Sequence, residues 1–382
     1  MSDLLQPSEL ERYQRHLLLA EIGPEGQRRL KRARVLVVGA GGLGCPAALY
    51  LAAAGVGRIG IADDDRVDRS NLHRQILFED ADVGRLKVEA AARRLGAQNP
   101  DIEVVPLPCR IEPQNALAVF AGYDLVLDGS DRLATRYVTN DACVILGKPW
   151  VSAAIHRFEG QAMVYVPGQG PCYRCLFPDA TDGVVPNCAE AGVLGVLPGV
   201  LGSLQATEAI KLILGLGTPL TGRFLTYDSL AMQFQEFTTR RRPDCAVCGD
   251  RPSILVPQPR ALPERSPLAD PPGFARLRPA ELAAQLRAQP RGGAWALIDV
   301  REPREYAAGH LPGSLNIPIG SLDARFAEVP ANADPLFLCR IGVRSAAAGH
   351  IAARHGRTRM AHLEGGLLAW AAAIDNNLKV IA

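Results

Sequence analysis

The chain has 382 residues, long enough for two or three domains that each bury an ordinary core. Its 42 basic and 40 acidic residues leave a formal net charge of +2, which removes the electrostatic case for nucleic acid or a membrane surface as the main partner. The first 34 residues alternate charge with apolar side chains and lack the apolar core of a signal peptide, so the chain reads as cytoplasmic; nine cysteines in a reducing compartment point to metal binding and catalysis, not a disulfide framework.

Residues 34–39 (RVLVVG) are nearly continuous apolar and β-branched, the composition of a short buried strand. Residues 43–55, rich in alanine and leucine and closed by Gly55 at a C-cap position, predict a helix, and residues 58–62 a second strand. A helical pattern over 87–95 and strand-like runs over 102–106 and 125–127 extend the alternation. The fold class is therefore α/β, a Rossmann-like doubly wound parallel sheet. The most apolar stretch, 192–217, contains Pro198, Gln205, Glu208 and Lys211, which suits a buried or subunit-interface helix better than a membrane span.

The turn Gly39-x-Gly41-Gly42-x-Gly44 between the first strand and helix satisfies a dinucleotide fingerprint, in which glycines let backbone approach phosphates at a helix N-terminus. Asp63, at the end of the second strand, stands where a carboxylate binds ribose hydroxyls. NAD, FAD and ATP all remain open on these residues. The following stretch, Asp63-Asp64-Asp65, Asn71-Leu72-His73-Arg74-Gln75 and Gly84-Arg85-Leu86-Lys87, supplies cations and amides suited to a departing pyrophosphate, or else forms a solvated polar loop.

Arg12-Tyr13-Gln14-Arg15, the glycine turn, Asp63-Asp64-Asp65, the Asn71 to Gln75 segment, Lys87 and Asp128-Gly129-Ser130-Asp131 resemble, in order, the MoeB/ThiF enzymes, bacterial relatives of ubiquitin-activating enzymes. The resemblance covers roughly residues 8–249. It implies ATP-dependent adenylation of the C-terminal glycine of a small ubiquitin-like protein. It further implies that Asp63 binds ribose, Arg74 and Lys87 the phosphates and Asp131 a magnesium ion, with Asp65, Asn71 and Gln75 assisting. Arg15 would reach the triphosphate across a homodimer. Arg132 departs from the family, which usually has asparagine there.

Cys172-x-x-Cys175 and Cys245-x-x-Cys248 are two hooks about seventy residues apart. Four thiolates complete a closed tetrahedral site, so structural zinc is favoured over redox dithiols. Cys188, in a glycine- and proline-punctuated loop, coincides with the crossover-loop cysteine of the family and is either catalytic or a spectator. Cys45, Cys109 and Cys143 read as structural.

Seven prolines fall within residues 251–272, a stiff linker unable to bury a core. The organisation expected is thus an adenylating domain over 1–250, the linker, and a smaller α/β domain over 273–382. In the latter, 277–286 and 345–355 look helical and 296–300 and 336–339 look like strands.

Cys339 follows the apolar run 336–338, at a turn before a helix. Backbone N–H groups, the helix N-terminus, Arg340 and Arg344 would favour a thiolate there, giving an exposed cysteine of low pKa. The motifs DVREPREY (299–306), GHLPGSLNIP (309–318) and CRIGVRS (339–345) resemble a rhodanese domain, whose cysteine carries a persulfide taken from thiosulfate or a cysteine desulfurase. Asp299 and His310 read as ordering the fold. The pairing resembles the two-domain sulfur-carrier adenylyltransferase and sulfurtransferase family. It implies that the carrier's C-terminal Gly-Gly is adenylated with ATP and magnesium and then receives sulfur from Cys339 as a thiocarboxylate, a linked domain acting at high effective concentration. Rival readings are an ATP-dependent tRNA-modifying cyclase, an NAD-dependent oxidoreductase with a sulfur-sensing tail, and a scaffold with a docking rhodanese domain.

Overall fold

Strand β1 (Arg34–Val38) is buried at every residue after the first, as an apolar run must be when helices cover both faces of a sheet. It lies in the first of two compact units, Met1–Leu262 and Pro263–Ala382, of a computed structural model that describes residues 4–178, 192–258, 270–288 and 295–380. In chain order the first unit comprises α1 (Pro7–Arg12), α2 (Gln14–Leu17), α3 (Gly23–Arg32), β1, α4 (Gly44–Ala54), β2 (Arg58–Ala62), α5 (Lys87–Gln98), β3 (Glu103–Leu107), α6 (Ala116–Ala121) and β4 (Leu125–Asp128). There follow α7 (Leu133–Ile145), β5 (Trp150–His156), β6 (Glu159–Tyr165), α8 (Tyr173–Leu176), α9 (Leu197–Leu214), β7 (Arg223–Asp228) and β8 (Gln233–Thr238).

The eight strands run in the order β3-β2-β1-β4-β5-β6-β7-β8. From β3 to β5 the pairs are parallel; beyond β5 they are antiparallel. The parallel half is the doubly wound sheet expected. The antiparallel half is a finding of the structure: at its hairpin turns Arg157 at φ 53° and Met232 at φ 54° take left-handed conformations that glycine or asparagine usually fills, and at the second Asp228 Oδ1 accepts from Leu230 N and Ala231 N. Gly55 caps α4 at φ 82°, as its position predicts.

The apolar stretch after residue 192 forms α9, buried against α4 and the sheet. Its polar residues have internal partners: Gln205 Nε2 donates to the carbonyls of Asp128 and Val151, and Glu208 accepts from Leu220 N and Lys211 Nζ. At Gly202 the helix presses on α4 so closely that a Cβ would stand 2.5 Å from Leu43 O. Among the described residues no helix is long and apolar enough to cross a membrane.

The second unit comprises β9 (Phe274–Leu277), α10 (Pro279–Ala288), β10 (Trp295–Asp299), α11 (Pro303–Ala308), β11 (Leu315–Asn316), α12 (Ile319–Leu322), β12 (Asp334–Leu338), α13 (Val343–Arg354), β13 (Met360–Leu363) and α14 (Gly366–Ala373). Its five strands are all parallel, in the order β11-β10-β12-β13-β9. One expectation is corrected: the helix placed over 277–286 begins at Pro279, because Phe274 to Leu277 pair in register with Met360 to Leu363 at the sheet edge.

Each sheet has a switch point, between β1 and β4 in the first and between β10 and β12 in the second. In open parallel sheets the crevice beyond the carboxyl ends of such strands is where ligands bind. The glycine turn leaves β1 there, and Cys339 leaves β12 there.

Candidate functional site

The turn after β1 is shaped by close backbone approach. Gly39 adopts φ 92°, and a Cβ on Gly44 would lie 1.8 Å from Gly39 O, so neither position admits a side chain. Gly41 differs: a Cβ there would meet nothing nearer than Gly129 O at 4.0 Å. The protein's own packing does not demand a glycine at Gly41, and the space left open is what an approaching phosphate needs. Gly42 faces Pro198 at the start of α9, with the stem of Arg74 beside it.

Asp63 is tied to this turn. Its Oδ2 accepts from Ala40 N at 2.8 Å and its Oδ1 from Asp65 N at 2.8 Å, leaving further lone pairs for a hydroxyl. Burial raises the Asp63 carboxyl above its usual range, opposed by the nearby Lys87. Lys87 Nζ donates to Asp65 Oδ2 at 2.9 Å and lies 4.0 Å from Asp63 Oδ1. Arg74 Nη1 donates to Ser70 O at 3.1 Å and lies 3.0 Å from His73 Nε2, while Asn71 Nδ2 donates to Ser70 Oγ. Gln75 is buried, and its Oε1 has no hydrogen-bond partner among the described residues. An orphaned buried acceptor and an open glycine face fit a bound nucleotide or the water that accompanies it.

Asp131 is exposed just beyond Gly129 and Ser130, whose backbone packs on Gly39. The loop that carries it is held by residues given no role from sequence. Asp128 Oδ1 accepts from Ser130 N and Oγ, and the buried Arg136 donates to Ser130 O at 3.2 Å. Arg132 occupies the N-cap of α7 and makes no side-chain cap there, a bond an asparagine would supply. Arg15 is exposed on α2; the structure does not join it to the glycine turn among the described residues.

The four hook cysteines converge. Their sulfurs all lie within 4.8 Å of one another, with pairs at 3.9, 3.6 and 3.3 Å. Four thiolates around a zinc ion at about 2.3 Å stand about 3.8 Å apart, so the donor set fits a tetrahedral metal. Arg242 N donates to Cys175 Sγ, and the Arg174–Asp141 pair, with Asn140 Oδ1 accepting from Tyr173 N, anchors the first hook to α7. Cys188 lies outside the described residues. Burial pushes the Cys45 thiol up to about 12 and raises Cys143 well above the ordinary thiol range, as inert core thiols require.

In the second unit Cys339 is fully buried, which corrects the expectation of an exposed thiol. The reason is a neighbour remote in sequence. Gly365 and Gly366, both at positive φ, bring α14 onto the loop, where Leu367 N donates to Cys339 O and Leu368 N to Arg340 O. A Cβ on Gly366 would lie 2.5 Å from Arg340 C. Gly342 N donates to Cys339 Sγ at 3.1 Å, so one backbone donor does meet the sulfur. Arg344, expected to stabilise a thiolate, is engaged by Glu305 of α11 through two bonds of 2.7 Å, which offsets its charge. Arg340 Nε is buried without a partner among the described residues. Asp299 and Arg301 form a fully buried pair that also bonds Gly309 O, while His310 stacks on Tyr306.

The sequence profile of the ThiF family matches residues 13–247, and that of the rhodanese-like domain matches residues 282–373. The chain is 55% identical over 251 residues to the sulfur carrier protein adenylyltransferase of Thermus thermophilus, covering 64% of this chain and 93% of that protein. It is 42% identical over 402 residues to the adenylyltransferase and sulfurtransferase MOCS3 of Aedes aegypti, covering 97% of this chain and 89% of that protein. Among solved structures, Escherichia coli MccB in complex with MccA-N7isoASN superposes with a TM-score of 0.57 at 26% identity, covering 65% of this chain and 76% of that one.

Proposed function

The chain belongs to the ThiF family and carries a rhodanese-like domain in its C-terminal part, and from that premise we propose that it adenylates the C-terminal glycine of a ubiquitin-like sulfur carrier and then converts it to a thiocarboxylate. The observation that carries this reading is the pair of loops in one chain. A glycine turn with an open phosphate face and a cysteine turn with an inward backbone N–H each stand at the carboxyl end of a strand at a switch point.

In the first step an oxygen of the carrier's terminal carboxylate bonds to the α-phosphorus of ATP as the bond to pyrophosphate breaks. Both reactants are anions, so this part of the protein must align them and offset their repulsion. Asp63 accepts from the ribose hydroxyls, the backbone at Gly41 and Gly42 lies along the phosphates, and Lys87 leaves Asp65 to meet them with Arg74. Asn71 and Gln75 complete the polar lining. Asp131 would hold a magnesium ion, which when bound adds positive charge at the phosphates. Arg15 would serve the site of a second copy in a homodimer.

In the second step a Cys339 persulfide, loaded from thiosulfate or a cysteine desulfurase, bonds through its terminal sulfur to the acyl carbon and AMP leaves, giving an acyl disulfide. A thiolate, for which Cys188 is the candidate, then attacks the Cys339 sulfur. The thiocarboxylate departs and a disulfide remains for a cytoplasmic thiol reductant. With a ubiquitin-like carrier ending in Gly-Gly the protein is expected to catalyse ATP–pyrophosphate exchange; exchange that proceeds equally without any carrier would favour the cyclase reading instead.

The four-cysteine cluster we assign to structural zinc. Because zinc binding by such sites is coupled to folding, the Cys172→Ser, Cys175→Ser double variant is expected to lose zinc and to melt at least ~5 °C lower. Equal zinc content by elemental analysis in variant and parent would contradict the assignment.

A further inference from the structure

A hydrogen-bonded chain lies behind Cys339 that neither proposed step requires. The thiol donates to Ser345 Oγ at 3.4 Å; that oxygen donates to Gly342 O at 3.0 Å and stands 3.2 Å from Nδ1 of His362 on β13. Cys339 and Ser345 are fully buried and His362 is 3% exposed. The imidazole stacks on Phe274 at 5.2 Å, and its Nε2 has no partner among the described residues. Ser345 has one hydrogen, and Gly342 O can only accept. The proton on the imidazole therefore belongs on Nδ1, facing the serine oxygen and the Gly342 carbonyl. Burial, reinforced by Arg276, lowers the His362 pKa and keeps the ring neutral.

We propose that Ser345 and His362 are positioning residues that set the acidity of the Cys339 thiol. When the thiol proton leaves to solvent, the Ser345 hydroxyl turns from the Gly342 carbonyl to donate to the sulfur anion, and the His362 Nδ1–H holds the serine oxygen in place. Arg344 is engaged by Glu305 and Arg276 by Asp270, and Arg340, Glu302, Glu364 and His350 are further charged or titratable groups near the loop and ring among the described residues. The inference rests on reading Cys339 as the sulfur-bearing residue, but it is measured on the thiol alone.

The test is the pH dependence of alkylation of Cys339 by iodoacetamide in the full chain, read from the mass of the peptide that contains it. Access to a buried sulfur sets the plateau rate; the thiolate fraction sets the midpoint. Ser345→Ala is expected to raise the midpoint by about one pH unit, the worth of a hydrogen bond to a charged sulfur. His362→Phe keeps the ring stack, removes the donor and is expected to raise it by about 0.3 unit. His362→Asn returns an N–H close to the position of Nδ1 and should restore the parent midpoint. Altered plateaus with unchanged midpoints, or an asparagine variant that behaves like the phenylalanine one, would overturn the relay. Shifts as expected in a protein that forms no thiocarboxylate would uphold the relay and remove the sulfur-transfer reading.

Discussion

Replacing Lys87 with methionine should slow carrier-dependent ATP–pyrophosphate exchange by about 100-fold, the usual cost of one charge-stabilising group in a water-poor site. Lys87 is 5% exposed, at the first position of α5, with its ammonium between two carboxylates and no other side-chain partner among the described residues. A buried cation held by acidic groups is stored where phosphates can draw it away. Methionine keeps the apolar stem of the side chain, so the packing around α5 should survive. The melting temperature separates the two roles: a structural lysine would lower it while sparing exchange in the folded fraction. Exchange within about threefold of the parent would remove Lys87 from the phosphate site.

The alternation of strand and helix was legible in the sequence because it is local. A βαβ unit announces itself through a buried apolar run, a glycine turn and a capped helix, all within residues 34–62. The hook cysteines were legible for the same reason, since CxxC spacing fixes two ligands by itself. Less legible was whatever depends on distant partners. The β5–β6 and β7–β8 hairpins turn at Arg157 and Met232, residues without turn chemistry. Strand β9 is four residues long and defined by its pairing with β13. Cys339 looked exposed because the turn was visible but Gly365 and Gly366, which let α14 close over it, lie well downstream. Arg344 looked like a free cation because Glu305 lies 39 residues away in the sequence.

Cys339→Ala should leave exchange at the parent rate and abolish thiocarboxylate formation. The proposed first step draws on residues of Met1–Leu262, whereas Cys339 belongs to the other unit. The substitution removes the sulfur that accepts from Gly342 N and Ser345 loses a neighbour, yet the loop remains pinned through the carbonyls of Cys339 and Arg340. A cavity of one sulfur atom costs about 1–2 kcal/mol, too little to unfold an ordinary domain. Lost exchange in a folded variant would mean that the two chemistries are not separable in this way.

The mass of a Gly-Gly-ending carrier after incubation with the full chain, ATP, magnesium, thiosulfate and a thiol reductant decides whether the chain performs both halves of one reaction. One oxygen replaced by one sulfur at the carrier's C-terminus, with the parent and not with Cys339→Ala, is the result expected. A carrier that is adenylated but never gains sulfur, or that gains it equally with Cys339→Ala, would contradict it.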